Sequence, residues 1–165
     1  MNHFSEDAAP RRPHDRSVRP IPALAPGQRV YIVEGRPWWR ALDRLVDADM
    51  DGTRRWIGAK NCRDGDLLLT VLSTVPRMVV SLETADGDAE VSTDNIRVRE
   101  ERTVLFRHGI SFDAVKAGAE INLQLYRHYE DEEAAVILTA LDEQYRLNKP
   151  WFTPQRWIED QGFAV

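Results

Sequence analysis

Side chains able to do covalent or acid–base chemistry are few and scattered in this sequence. The sole cysteine, Cys62, lies in a polar stretch between Lys60 and Arg63. Positive neighbours of that kind lower a thiol pKa and favour the nucleophilic thiolate; the plainer reading is a small residue with no chemical role. His108 and His128 are 20 residues apart, and His3 and His14 fall near the N-terminus. No His-x-x-x-His or His-Glu-x-x-His spacing is present to hold a metal, and neither common glycine-rich phosphate loop occurs. Asp66, directly after Gly65, suits a turn-capping carboxylate better than a catalytic one. Catalysis needs an acid, a base or a nucleophile brought together. The chain therefore reads as a binding module rather than an enzyme, with no metal and no cofactor expected.

The elements that must position these residues follow from hydrophobic pattern. The β-branched and aromatic run 29–33 predicts a first strand after a turn at Gly27. Pro37 suits the first turn of a helix, and Trp38, Ala41, Leu42, Leu45 and Val46 recur at helical spacing behind it. Asp51-Gly52 and Asp64-Gly65 are turn signals. Between them the segment around Trp56 has no assigned structure. After the second turn, the unbroken apolar run 67–72 predicts a central strand buried on both faces. Pro76 ends that run, and 77–84 predicts its antiparallel partner, followed by a turn at 85–88. Residues 96–99 and 103–106 predict two further strands. Ser111 is a good N-cap for a short helix that Gly118 should stop. A longer helix is expected after Tyr129, where Ala134, Ile137, Leu138, Leu141 and Tyr145 share one face behind an acidic start. Thr153 and Pro154 open a last short helix carrying Trp157.

Bulk properties bound the class. A chain of 165 residues with 42% hydrophobic and 30% charged residues is ordinary for one globular domain. Residues 1–26 differ, with Pro10, Pro13, Pro20, Pro22 and Pro26 among arginines, and predict a disordered basic arm. The domain is then expected over 27–165, with a C-terminal helical extension. The absence of an apolar leader run and the single cysteine lead to an expectation of a cytoplasmic protein with no membrane partner. A net charge of −5 argues against a broad nucleic-acid-coating surface but leaves room for a local site. The arginines of the arm and the run Glu130-Asp131-Glu132-Glu133 read first as solvated segments.

Residues 55–69, Arg-Trp-Ile-Gly-Ala-Lys-Asn-Cys-Arg-Asp-Gly-Asp-Leu-Leu-Leu, resemble a pattern of the PUA-like superfamily, specifically its EVE and ASCH branches. In that pattern a tryptophan precedes a short polar loop, then Gly-Asp, then a buried strand. The order of elements over 29–128 agrees, with 79–83 as the next strand and 109–116 as a late helix entry. Gly58, Lys60 and Arg63 do not complete the ASCH signature, which needs a glutamate among them, and Leu72 and Ser73 replace an aromatic common in the EVE branch. The resemblance implies an α+β fold, a small mixed β-barrel of about five strands flanked by helices. It also implies binding of RNA or DNA through a modified or extruded base held in an aromatic pocket at the barrel mouth. A base fits such a site because its face stacks on an indole while polar groups read its edge. In that reading Trp56 stacks at the pocket mouth, Lys60, Arg54 and Arg55 meet phosphate, Asn61 reads a base edge, and Trp38 borders the site.

Each assignment has a structural counterpart. Trp56 equally suits a core or lid position, one of Trp38 and Trp39 must face inward on its helix, and Trp151 and Trp157 suit pinning of the C-terminal segment. Two other classes of function stay open. One is a protein-interaction or regulatory adaptor that contacts a partner through the arm and the acidic helix. The other is a small-molecule hydrolase that uses the same pocket with Lys60 as base.

Overall fold

The computed structural model describes residues 21–35, 54–55, 59–72, 75–89 and 95–147; of Arg54, Arg55, Asn95, Arg107 and His108 only the backbone is described. In chain order the elements are β1 (Val30–Glu34), β2 (Arg54–Arg55), β3 (Leu67–Leu72), β4 (Met78–Thr84), β5 (Asn95–Ile96), a 3-10 turn (Glu100–Arg102), β6 (Val104–Ser111), α1 (Phe112–Ala119), β7 (Arg127–Tyr129) and α2 (Asp131–Leu147). The expected helix after Pro37, the turn at Asp51-Gly52 and the short helix after Pro154 lie outside the described residues.

The principal sheet has five strands in the order β6-β4-β3-β1-β7, and β2 pairs separately with β5. The central strand is the uninterrupted apolar run expected of it, with every residue from Leu67 to Leu72 buried. It runs antiparallel to β4 and parallel to β1, with Val30 opposite Leu67. On the far side β1 pairs antiparallel with β7, and β4 pairs antiparallel with β6.

The α+β class stands, but the expected closed barrel does not. The strand order leaves β6 and β7 at opposite margins with no pairing between them among the described residues. Closure would require the three-residue β7 to meet the eight-residue β6. Instead the chain leaves β6 directly into α1 and layers helices on one face of the sheet. A sheet covered on its faces can bury its apolar side chains without curling shut.

On that helical face Val30, Ile32, Leu67, Leu69, Val71, Val79, Leu82, Val104, Phe106 and Ile110 pack with Phe112, Val115, Ile137, Leu138 and Leu141. Phe112 is wholly buried; a phenylalanine so placed contributes about 1.5–3 kcal/mol through removal of apolar surface from water. Ile21 and Leu24 also pack against this core, so the packed chain starts ahead of Gly27. α1 begins as its sequence demands, with Ser111 Oγ accepting from Ala114 N–H at 3.1 Å. It runs past Gly118, however, and ends at Glu120 in the left-handed region (φ 56°), whose N–H bonds Lys116 and Ala117 carbonyls. Gly118 serves packing instead, since a β-carbon there would lie 3.3 Å from Ala140 Cβ of α2.

On the opposite face a second core joins Tyr31, Val33 and Leu68 of the sheet to Ala59, Cys62, Ala85, Ile96 and Val98. The loop 59–66 is thereby laid over this face. Among the described residues, no helix is long and apolar enough to cross a membrane.

Candidate functional site

The loop 59–66 is two turns back to back. Cys62 N–H bonds Ala59 carbonyl at 3.0 Å, which places Lys60 and Asn61 at the corners of the first turn. Asp66 N–H bonds Arg63 carbonyl at 2.9 Å and closes the second around Asp64 and Gly65. Gly65 has φ 89°, a conformation that glycine adopts without the steric cost of a β-carbon. Alternation of burial follows: Ala59, Cys62 and Asp66 point inward, while Lys60, Asn61, Arg63 and Asp64 are exposed.

Asp66 is the anchor of the loop. One of its oxygens accepts from the Arg29 backbone N–H at 3.1 Å. The other accepts from Arg29 Nε at 3.1 Å, Arg29 Nη2 at 2.7 Å and Arg63 N–H at 2.8 Å. Arg29 Nη2 also donates to Asn61 carbonyl at 2.9 Å, so the guanidinium bridges both turns. Burial alone would lower the Arg29 pKa, but the hydrogen bond and charge of Asp66 outweigh it and hold the pKa above its ordinary value. A buried pair whose remaining donors and acceptors are satisfied in this way positions backbone well, whatever its net worth in stability. The turn-capping reading of Asp66 is thus the one its contacts support.

The outer side of the loop is tied to the turn after β4. Asp64 accepts from Gly87 N–H at 2.8 Å and Arg99 Nη2 at 2.9 Å, and Asp88 accepts from Asp64 N–H at 2.9 Å. The Gly87 and Arg99 hydrogen bonds hold the Asp64 pKa below its usual value.

Cys62 does not have the environment that its sequence neighbours suggest. The thiol is buried among apolar side chains, and burial, reinforced by the Asp66 charge, pushes its pKa up to about 12. Lys60 and Arg63 point to solvent instead. Neutral thiol is a poor nucleophile, and the nucleophilic reading of Cys62 is set aside.

Of the residues expected at a site, Lys60 and Asn61 sit side by side on one exposed turn. Arg54 and Arg55 form β2, opposite Ile96 and Asn95 of β5, and Ile96 packs in the same core as Cys62. Trp38 and Trp56 lie outside the described residues. No group of three or more potential metal ligands occurs among the described residues.

Arg29 and Tyr31, which the sequence placed only in a strand, and His128, weighed there only as a metal ligand, form a chain of contacts. The Arg29 guanidinium carbon lies 5.2 Å from the Tyr31 ring centre. Tyr31 is opposite His128 of β7, with ring centres 4.9 Å apart and planes tilted by 30°. His128 is part exposed, its Nε2 3.4 Å from Glu130 Oε2. The available signal was a charge immediately before each of two apolar strands, Arg29 before β1 and Asp66 before β3. No protein-family model, curated protein or solved structure matches the chain.

Proposed function

We propose that the protein is a nucleic-acid or modified-base binding module of the PUA-like, EVE type, which holds a base of RNA or DNA at the loop 59–66. The observation that carries this reading is the exposure of Lys60 and Asn61 at the corners of a turn whose backbone Arg29 and Asp66 pin from beneath. A cation and a carboxamide held on a rigid turn supply a phosphate contact and a paired donor and acceptor for a base edge. Because the turn's backbone is already hydrogen-bonded to Arg29 and across Ala59 and Cys62, binding has less of it to fix. Support also comes from the resemblance over 55–69, from the tryptophan at 56 as a stacking face, and from Arg54 and Arg55 as further phosphate contacts. In this reading the base is held at the loop rather than at a barrel mouth.

Titration with single-stranded oligonucleotides, followed by intrinsic tryptophan emission and by anisotropy of a labelled strand, tests the reading. Affinity should fall as salt rises from about 50 to about 200 mM. Lys60→Ala should weaken binding to all sequences and reduce the salt slope by about 1, whereas Asn61→Ala should relax base preference by about 1–3 kcal/mol. Absence of binding at any salt in that range would remove the reading.

A further inference from the structure

The loop 59–66 carries two cations, Lys60 and Arg63, and two anions, Asp64 and Asp66. Both anions are paired with arginines from outside the loop. Asp66 meets Arg29 at 2.7 Å, and Asp64 meets Arg99 at 2.9 Å. Of the carboxylates in the adjoining turn, Asp86 lies 3.6 Å from Arg99 Nε, and Asp88 accepts the Asp64 N–H. The side chains of Lys60 and Arg63 are exposed and make no ion pair or hydrogen bond among the described residues. In a chain of net charge −5, the loop thus presents two cations without a bonded counter-charge.

Lys60 and Arg63 stand on either side of the exposed Asn61 in the chain, with Cys62 turned inward between Asn61 and Arg63. Three residues of chain set their Cα atoms no more than about 11 Å apart. The backbone of Arg63 is pinned as well, its N–H donating to the Asp66 carboxylate at 2.8 Å and its carbonyl accepting from Asp66 N–H at 2.9 Å. A guanidinium offers a planar fork of donors that matches phosphate oxygens. We infer that Arg63 is a second phosphate contact of the base site, and that the ligand is a single strand whose phosphates on the two sides of the held base meet Lys60 and Arg63. This rests on the base-binding reading and adds to it the class of ligand. A free base has no phosphate and a mononucleotide has one only on one side, so neither engages both cations about Asn61.

The test uses Arg63→Gln and Arg63→Lys in the full chain beside the parent and Lys60→Ala. The probe is a labelled strand of uridines about ten nucleotides long, with uridine 5′-monophosphate as competitor. Arg63→Gln should bind about fivefold more weakly at about 100 mM salt and reduce the slope of log affinity against log salt by about 0.7, the value for one phosphate of a single strand. Arg63→Lys, which keeps the charge, should retain the parent slope. The mononucleotide should compete far less well than the unlabelled strand at equal nucleotide concentration. An Arg63→Gln variant with the parent's affinity and slope, while Lys60→Ala is weakened, would overturn the inference and leave base binding intact. A loss of affinity at unchanged slope would assign Arg63 a structural role and overturn it as well, as would a mononucleotide that competes equally. A parent protein that does not bind the strand would remove the base-binding reading and this inference with it.

Discussion

The Arg29 guanidinium meets the Asp66 carboxylate at 2.7 Å across the neighbouring starts of β1 and β3. The two strands are parallel, and Val30 is in register with Leu67. The residue before each pair member therefore lies beside the other, and two charges separated by 37 positions in the chain are brought into contact. The contact fixes the chain ahead of the central strand and, through Asn61 carbonyl, the turn that presents Lys60.

Loss of the carboxylate should therefore be costly. Asp66→Ala leaves Arg29 buried without a counter-charge and is expected to destabilise the fold by about 3–5 kcal/mol. Asp66→Asn, which keeps the side-chain volume and one acceptor oxygen, enough for the Arg63 N–H or the Arg29 N–H but not for both, should cost less. Urea denaturation of the two variants beside the parent measures both values, and an Asp66→Asn variant as stable as the parent would show that the charge of Asp66 contributes nothing.

Cys62 should be inert while the chain is folded. Its thiol, held up to about 12 by burial, is neutral at ordinary pH. Iodoacetamide at about pH 8 should label the urea-unfolded chain readily and the native protein slowly, at a rate set by opening of the structure. Mass spectrometry of timed samples follows the reaction, and fast native labelling would contradict the buried placement.

Asp64 should make stability depend on acidity. Its folded-state pKa is depressed by Gly87 N–H and Arg99, so its contribution is complete above the unfolded carboxylate value of about 3.9 and is lost as pH falls through the lower folded value. Asp64→Asn should flatten the melting temperature against pH in that acid window and leave the slope near neutrality unchanged. Arg99 also faces Asp86, at 3.6 Å from its Nε, so Asp86→Asn serves as the comparison. Identical acid profiles for Asp64→Asn and the parent would refute the assignment.

The central strand, its antiparallel partner, the Ser111 cap and the long acidic-fronted helix were legible because each is written in a local run. Leu67–Leu72 is apolar throughout, and Asp131–Leu147 repeats its apolar face at helical spacing. β7 was not legible: two of its three residues are exposed, and nothing in Arg127-His128-Tyr129 marks it apart from the loop before it. It becomes a strand only because the free edge of β1 supplies the hydrogen bonds. The helix stop was misplaced for a related reason. Gly118 has the composition of a terminator, but the neighbouring helix needs its missing side chain, and Glu120 adopts the left-handed conformation instead.

The sequence by itself determined the α+β class, the turns at Asp64-Gly65 and after β4, and the position of Lys60 and Asn61 in a polar loop. Those features depend on residues a few positions apart, and local propensity settles them. Only the tertiary structure decided that the sheet stays open, that Arg29 and Asp66 anchor the loop, that Cys62 is buried rather than activated, and that Tyr31 and His128 stack beside it. Each of these depends on strand register, which brings together residues tens of positions apart and assigns every side chain to one face of the sheet or the other.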